Sequence, residues 1–373
     1  MESATFKFLN LYNFNFFMQK TILITGGCGF VGSNLAIAFK KANSTHHIIA
    51  LDNLKRRGSE LNISRLRKLG IQFIHGDIRN IEDFDEVGAI DILIDAAAEP
   101  SVVSGMETTP DYLINTNLVG TVNCLNFALK NKALFVLLST SRVYPIGLLN
   151  EIPLIESTTR FSINSNQNKI PGVSDDGVNE FFPLNGARSF YGTTKLSAEL
   201  LVEEYAAFYG LKTIVNRCGV LTGAWQMGKV DQGVVVLWIA KHFWKKELGY
   251  FGFGGEGKQV RDMLHVSDLY RLLEIQLENP SVYAGKPWNV GGGETVSVSL
   301  QELTNICEKI TGNKIPIKSV KENRVADIPW YITDSSEVRK VSGWEPKYTV
   351  EMIMQDVYDW MKENEGMLKP ILE

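Results

Sequence analysis

The chain has 373 residues, 45 % of them hydrophobic, and a formal net charge of -4. That length and apolar content support a large core arranged as one or two domains. A weakly acidic balance with no block of Lys and Arg excludes a nucleic-acid groove, which requires a basic face.

Cys28, Cys124, Cys218 and Cys307 stand far apart with no CxxC among them, and the histidines are scattered apart from the adjacent His46 and His47. This suggests neither a zinc site nor a disulfide framework; no metal is predicted, and a reducing, cytoplasmic compartment fits best. The opening "MESATFKFLNLYNFNFF" is aromatic, but Asn and Lys interrupt it, so it reads as neither a signal peptide nor a membrane span. Met18 directly precedes "QKTILITGG", and residues 1–17 are therefore expected to be a dispensable extension.

Residues 18–220 repeat one pattern. Short β-branched runs, "TILIT", "HIIALD", "IQFIHGD", "DILIDAAA", "LFVLLST" and "TIVNRCG", alternate with helix-like segments such as "VGSNLAIAFKKA" and "TNLVGTVNCLNFALK". Near-continuous apolar strands separated by helices imply an α/β fold of the Rossmann type, a doubly wound parallel sheet covered on both faces, with its ligand at the strand carboxyl ends. Between 145 and 190 lies a polar stretch too long for a plain connection, expected as a partly ordered loop near the substrate, with a disordered insertion as the alternative. Residues 221–373 are mixed in pattern, with Gly-rich turns at "GFGGEGK" and "NVGGGE" and helices at "SLQELTNICEKITG" and "TVEMIMQDVYDWMKEN". They read as a smaller mixed α/β substrate-binding domain, some of whose segments return to the first.

The first strand runs into "TGGCGFVG", with Gly26, Gly29 and Gly32 spaced by three and a second frame starting at Gly27. Glycines here allow a tight turn and close approach of a pyrophosphate to the N-terminus of the helix that Phe30 and Val31 open. The second strand ends at Asp52, followed by Asn53, twenty residues after Gly32. A carboxylate there accepts the adenosine ribose hydroxyls and repels a 2′-phosphate by about 4 kcal/mol at 4 Å and an effective dielectric near 20, so NAD is expected rather than NADP. Lys55, Arg56 and Arg57 just downstream are a counter-signal, read as a solvated loop or as pyrophosphate-side charges. Asp77 and Ile78 in "GDIR" are placed at the adenine; the alternative for Asp77 is a helix N-cap, a place Asn80 fills better.

"RSFYGTTK" puts Tyr191 four residues before Lys195, one helical turn apart. Ala198, Val202, Tyr205 and Tyr209 extend the helical stripe. The plain alternative is an ordinary packed helix. With a nicotinamide at the strand ends, the phenol instead takes a substrate hydroxyl proton, provided that Lys195 and the cationic ring bring its pKa from about 10 toward 7. Thr140, at the end of the fifth strand, would share that proton network.

"TGGCGFVG", Asp52, "GDI", "NLVGT", "STSRVY", "YGTTK" and "GKQVRDMLHVSDL" together make the chain, from Met18 onward, resemble the extended short-chain dehydrogenase/reductase family, the nucleotide-sugar epimerases and dehydratases. The resemblance implies Thr140, Tyr191 and Lys195 as the catalytic set and Asn117 on the cofactor side. It places Ser141, Arg142 and Gln232 near the sugar and Arg261 on the nucleotide diphosphate, the alternative for Arg261 being an ion pair with Asp262. The family's 4,6-dehydratases carry Asp-Glu straight after the threonine, and this chain has Ser141 and Arg142. "STSRVY", "VDQGVVVLW" and "GEGKQVRDMLH" look most like the CDP-tyvelose (CDP-paratose) 2-epimerase group, although that group has Asn-Lys at 141–142 and glycine where Pro145 stands. The resemblance further implies an NAD-dependent epimerase acting through a transient ketone, and a homodimer or higher homo-oligomer. A UDP-hexose 4-epimerase is the nearest alternative. A catalytically silent NAD-binding scaffold would be expected to lack the tyrosine or the lysine, and both are present.

Overall fold

The computed structural model describes residues 19–105, 109–227 and 233–373. The expected extension 1–17 and Gln232 lie outside the described residues.

Seven parallel strands form the main sheet: β1 (Thr21–Thr25), β2 (His47–Asp52), β3 (Gln72–His75), β4 (Ile92–Asp95), β5 (Leu134–Thr140), β6 (Thr213–Cys218) and β7 (Pro287–Val290). Their order is β7-β6-β5-β4-β1-β2-β3. Both faces are covered, and period-two alternation sorts the side chains: Ile22 and Ile24 of β1 join one apolar cluster with Leu35, Phe39 and Leu273, while Leu23 joins another with Leu125, Ala128 and Val202. This is why the strands read as unbroken apolar runs. The strand order reverses beside β1, whose neighbours are β2 and β4, so a crevice opens there at the carboxyl ends.

Three helices carry the chemistry-bearing residues. Helix α1 (Phe30–Ala42) starts at the glycine turn. A single π-helical stretch, Asn115–Val119, leads into α2 (Gly120–Asn131). Helix α3 (Phe190–Tyr209) starts at Ser189, whose Oγ accepts the Gly192 N–H at 3.1 Å, and ends at Gly210 with φ +66°. Its first turn lies against the chain after β5 so closely that a Cβ on Gly192 would sit 2.1 Å from the Arg142 carbonyl.

The second lobe is built on the strand Val260–His265, which pairs with Val220–Thr222, Ser297–Ser299 and Trp330–Tyr331. Helices α4 (Val234–Phe243), α5 (Val266–Glu278), α6 (Leu300–Thr311) and α7 (Val350–Glu363) follow in order, and α4, α6 and α7 share a core of Trp238, Ile239, Cys307, Ile353 and Val357. One segment of this half, β7, forms an edge strand of the main sheet. The segment 145–190 is ordered as two short hairpins, Leu154–Glu156 with Phe161–Ile163 and Val173–Ser174 with Gly177–Val178. It braces the second lobe. Lys258 pairs with Glu156 at 2.7 Å, Arg160 donates to Ser297 at 2.5 Å, and Val178 and Phe182 pack with Val260, Ile328 and Trp330.

Among the described residues, no helix is long and apolar enough to cross a membrane, and no group of three or more His, Cys, Asp or Glu could hold a metal ion.

Under the sheet ends lies a buried ion pair. Arg217 of β6 donates to Glu199 of α3 from Nε (3.0 Å) and Nη2 (2.7 Å), with side-chain exposures of 4 % and 7 %. The Arg217→Met variant leaves Glu199 as an uncompensated buried charge and is expected to lose about 3–5 kcal/mol of stability; urea unfolding measures it, and a loss under about 1 kcal/mol would contradict this role.

Candidate active site

A cleft of about 1060 Å³ runs along the carboxyl ends of the strands into the second lobe. At one end the glycine turn forms its floor. Gly26 has φ +61°, and a Cβ on Gly32 would lie 2.2 Å from the Gly26 carbonyl oxygen, so turn and helix approach as closely as backbone allows. No side chain caps the N-terminus of α1, leaving its N–H groups for an anion. Asp52 accepts from the Cys28 N–H at 3.0 Å and the Leu54 N–H at 2.8 Å while facing the cleft. Burial pushes its carboxyl up from the usual value, and these backbone donors oppose the shift. The cradle and the carboxylate fit a dinucleotide.

Gly26, Gly29, Phe30, Val31, Gly32, Asp52, Asn53 and Ile78 all line the cleft. Asp77 does not. Its carboxylate is bound by Arg79 at 2.6 Å and by the Asn53 amide at 2.9 Å, and Gly76 and Ile78 line the wall on either side of it. Asn80 stands at the N-cap of the turn Ile81–Phe84 but makes no side-chain capping bond. Of the basic run, Lys55 and Arg56 line the cleft, Arg56 donating to the Met227 carbonyl at 2.6 Å, whereas Arg57 reaches the Pro370 carbonyl at 2.7 Å.

Asn117 lies in the π-helical stretch, a local widening common at functional sites. It is 1 % exposed and clamps the loop after β4: its Oδ1 accepts the Glu99 N–H at 2.8 Å, and its Nδ2 donates to the Glu99 carbonyl at 3.1 Å and to Thr194 at 3.3 Å. It thereby ties that loop to α3.

Thr140, Ser141, Arg142, Tyr191 and Arg261 converge on the other part of the cleft, where Thr140 stands beside the Tyr191 phenol. Lys195 is 2 % exposed and is not part of the lining. Burial pushes its amine below the usual range, opposed by the carboxylates of Asp95 and Glu199. In the chain alone, burial pushes Tyr191 up; Thr140 and Arg142 act against that, and Cys218 and Glu99 add to it. Arg142 is the cation among these groups, and Lys195, one turn along α3, is buried away from the cleft lining.

Arg261 does not pair with Asp262. Asp262 is fully buried and accepts the Gly292 N–H at 2.9 Å and the Thr333 hydroxyl at 3.1 Å, while Arg261 pairs with Asp327 at 3.1 Å and donates to the Ile328 carbonyl at 2.6 Å. Arg324, stacked over Phe251 at 3.9 Å, also lines the cleft, as do Lys241 and Glu99. Sequence reading missed these; none sits in a recognisable spacing, and only the folded chain brings them to the site.

A doubly wound sheet with a dinucleotide cradle at its switch point, and a threonine–tyrosine couple facing a second lobe, defines an NAD-dependent enzyme of the extended short-chain dehydrogenase/reductase type. The chain belongs to the NAD dependent epimerase/dehydratase family, which it matches over residues 22–291. It is 31 % identical to a CDP-paratose 2-epimerase of Salmonella typhi over 91 % of this chain and 98 % of that protein. It is 27 % identical to a UDP-glucose 4-epimerase of Halalkalibacterium halodurans over 92 % of this chain and 96 % of that one. Among solved structures, a dTDP-glucose 4,6-dehydratase of Bacillus anthracis in complex with NAD superposes with a TM-score of 0.72 at 26 % identity, covering 94 % of this chain and 99 % of that chain. The cofactor is NAD.

The Asp77–Arg79 pair makes stability pH-dependent in a defined direction. Burial raises the carboxyl, but hydrogen bonds from Arg79 and Asn53 outweigh it and hold Asp77 at about 2, below the unfolded value of about 3.9. Its contribution is therefore complete above about pH 4 and is lost as pH falls through about 2. Arg79→Ala should flatten that part of the stability curve; an unchanged dependence in acid unfolding would refute the assignment.

Proposed function

We propose that this enzyme is a 2-epimerase of a CDP-linked deoxyhexose, of the CDP-paratose/CDP-tyvelose kind, working in the cytoplasm. The observation that carries this reading is the near end-to-end match to the CDP-paratose 2-epimerase, combined with Ser141 and Arg142 after Thr140. Removing water from a sugar needs an acid and a base at the reacting carbons. The Ser-Arg pair supplies no carboxylate for that task, so elimination is disfavoured and inversion favoured.

Held by the glycine turn and Asp52, NAD would supply the hydride acceptor and donor for a sugar carbon. Tyr191 takes the hydroxyl proton of that carbon and gives it back, with Thr140 sharing the hydrogen bond. Lys195 sits beneath as a buried charge on the cofactor side, and Asn117 holds the Glu99 loop and α3 in register. Gly26, Gly29 and Gly32 cradle the pyrophosphate; Asp52 binds the adenosine ribose. Arg261 and Arg324 are placed to receive the substrate diphosphate, where guanidinium forks match phosphate oxygens. Arg261 must then exchange part of its bonding to Asp327 for the ligand. Ser141 and Arg142 face the sugar. Between the two hydride transfers the flat ketone presents its other face, which is the inversion.

If carbon 2 is the reacting centre, deuterium placed there slows turnover and stays at that carbon in the product, because the same cofactor returns it. Deuterium at carbon 4 then gives no primary isotope effect. Mass analysis of the product of a CDP-sugar reads this directly. An isotope effect and inversion at carbon 4 with a UDP-hexose would replace this substrate by the 4-epimerase alternative.

The π-helical stretch that leads into α2 and the outer face of α3 leave Val119, Leu200, Phe208 and Tyr209 exposed. We read it as the face on which two copies associate through a four-helix contact. Light scattering should show a dimer at micromolar concentration; a monomer there would reject the assembly.

A further inference from the structure

We propose that Arg142 is the positioning cation of the catalytic tyrosine, holding the Tyr191 phenol in the orientation and charge state in which it accepts the sugar hydroxyl proton. This goes beyond a sugar contact, and it rests on Tyr191 as the proton acceptor in the reading above.

Arg142 is fixed by its backbone between the two groups that meet at the reacting hydroxyl. Its N–H donates to Thr140 Oγ1 at 3.2 Å, and its carbonyl abuts Gly192, leaving no room there for even a Cβ. Tyr191 is the residue before that glycine, so turn and helix cannot move apart independently. The side chain lines the same cleft, and its Nη1 is buried with no hydrogen-bond partner among the described residues. A buried guanidinium donor left unpaired is costly, so an anionic or polar partner must meet it at some stage of the cycle.

The neighbouring charges indicate that partner. Arg142 faces Asp327, Tyr191 and Tyr331, and Arg261 approaches from the central strand of the second lobe. Asp327 already accepts from Arg261 at 3.1 Å and from the Ile328 N–H at 2.9 Å, so its carboxylate is engaged apart from Arg142. The groups facing Tyr191 are Thr140 from β5, Cys218 from β6, Glu99 from the loop after β4 and Arg142 itself. Glu99 opposes a phenolate and Arg142 favours one; Lys195 is buried and does not line the cleft. During oxidation the sugar C–H bond gives its electron pair as hydride to the bound NAD, the O–H proton passes to the phenolate, and a C=O forms. The return step reverses all three. Arg142 neither gains nor loses a proton: it offsets the negative charge whenever the tyrosine is deprotonated.

The test compares NAD-loaded wild type with Arg142→Met and Arg142→Lys. One readout needs no substrate: ultraviolet titration of the tyrosinate, assigned to Tyr191 by subtracting Tyr191→Phe. The other is the pH profile of kcat. In Arg142→Met, the Tyr191 titration and the acid limb of kcat should both move up by about one pH unit, with kcat at neutral pH falling about tenfold, and Arg142→Lys should recover most of both. Should the methionine variant fail to fold, Arg142→Gln removes the charge while keeping a polar side chain and is read the same way. A Tyr191 titration that stays in place overturns the proposal, and so does a raised KM with unchanged kcat, which marks a residue that only binds the sugar. If wild type turns over no nucleotide sugar offered, the titration still decides the role of Arg142, and the substrate reading fails separately.

Discussion

The Arg217–Glu199 fork is the interaction on which the geometry of the site depends. Glu199 lies on α3, two turns beyond Tyr191 and one beyond Lys195, and also accepts a hydrogen bond from the Ser139 hydroxyl, next to Thr140 at the end of β5. Arg217 donates from Nη1 to the Tyr144 hydroxyl at 3.3 Å, which in turn donates to Asn289 of β7 at 2.8 Å. One chain of buried polar contacts thus links α3 with three neighbouring strands and the turn that carries Arg142. Such a network is costly if any member is lost and rigid when complete. A proton-transfer site needs that rigidity, because its groups must stay within hydrogen-bond reach through a cycle of changing charge.

The cofactor half rests on a different constraint, close approach of backbone to backbone. Neither Gly27 nor Gly32 has room for a side chain: a Cβ on Gly27 would lie 2.6 Å from Ala50, and one on Gly32 would meet the Gly26 carbonyl. The turn is thereby pressed against β2, and Asp52 is brought to the Cys28 N–H. The carboxylate proposed to select the ribose therefore also closes the turn proposed to receive the pyrophosphate. Cofactor shape and loop shape are set by the same few contacts.

The substrate half is electrostatic and shared between lobes. Arg142 comes from the main sheet, Arg261 and Asp327 from the second lobe, and Arg324 from the loop leading to Asp327. Positive charge exceeds negative among these four, which suits the proposed diphosphate ligand and the anionic form proposed for Tyr191. The segment 145–190 supports this arrangement from behind by bracing the second lobe, and none of its residues lines the cleft.

Much of this was legible in the sequence because it depends on local spacing. Alternating apolar strands and helical stripes define the doubly wound sheet; the glycine turn, an aspartate at the end of the second strand and a Tyr-x-x-x-Lys turn define the family, since each feature needs only neighbours within one element or one connection. What spacing could not decide was where each side chain faces after long-range packing. Tyr191 and Lys195 share a helical face in projection, yet one opens on the cleft and the other is buried outside its lining. Arg261 stands next to Asp262 in the chain but pairs with Asp327, because Asp262 is engaged in holding Gly292 and Thr333. Asp77 comes after the third strand as expected and is taken up by Arg79 and Asn53. In each case the sequence determined which groups were available, and tertiary packing decided their partners, because burial makes a charged group seek the nearest satisfying contact in space and not the nearest in the chain.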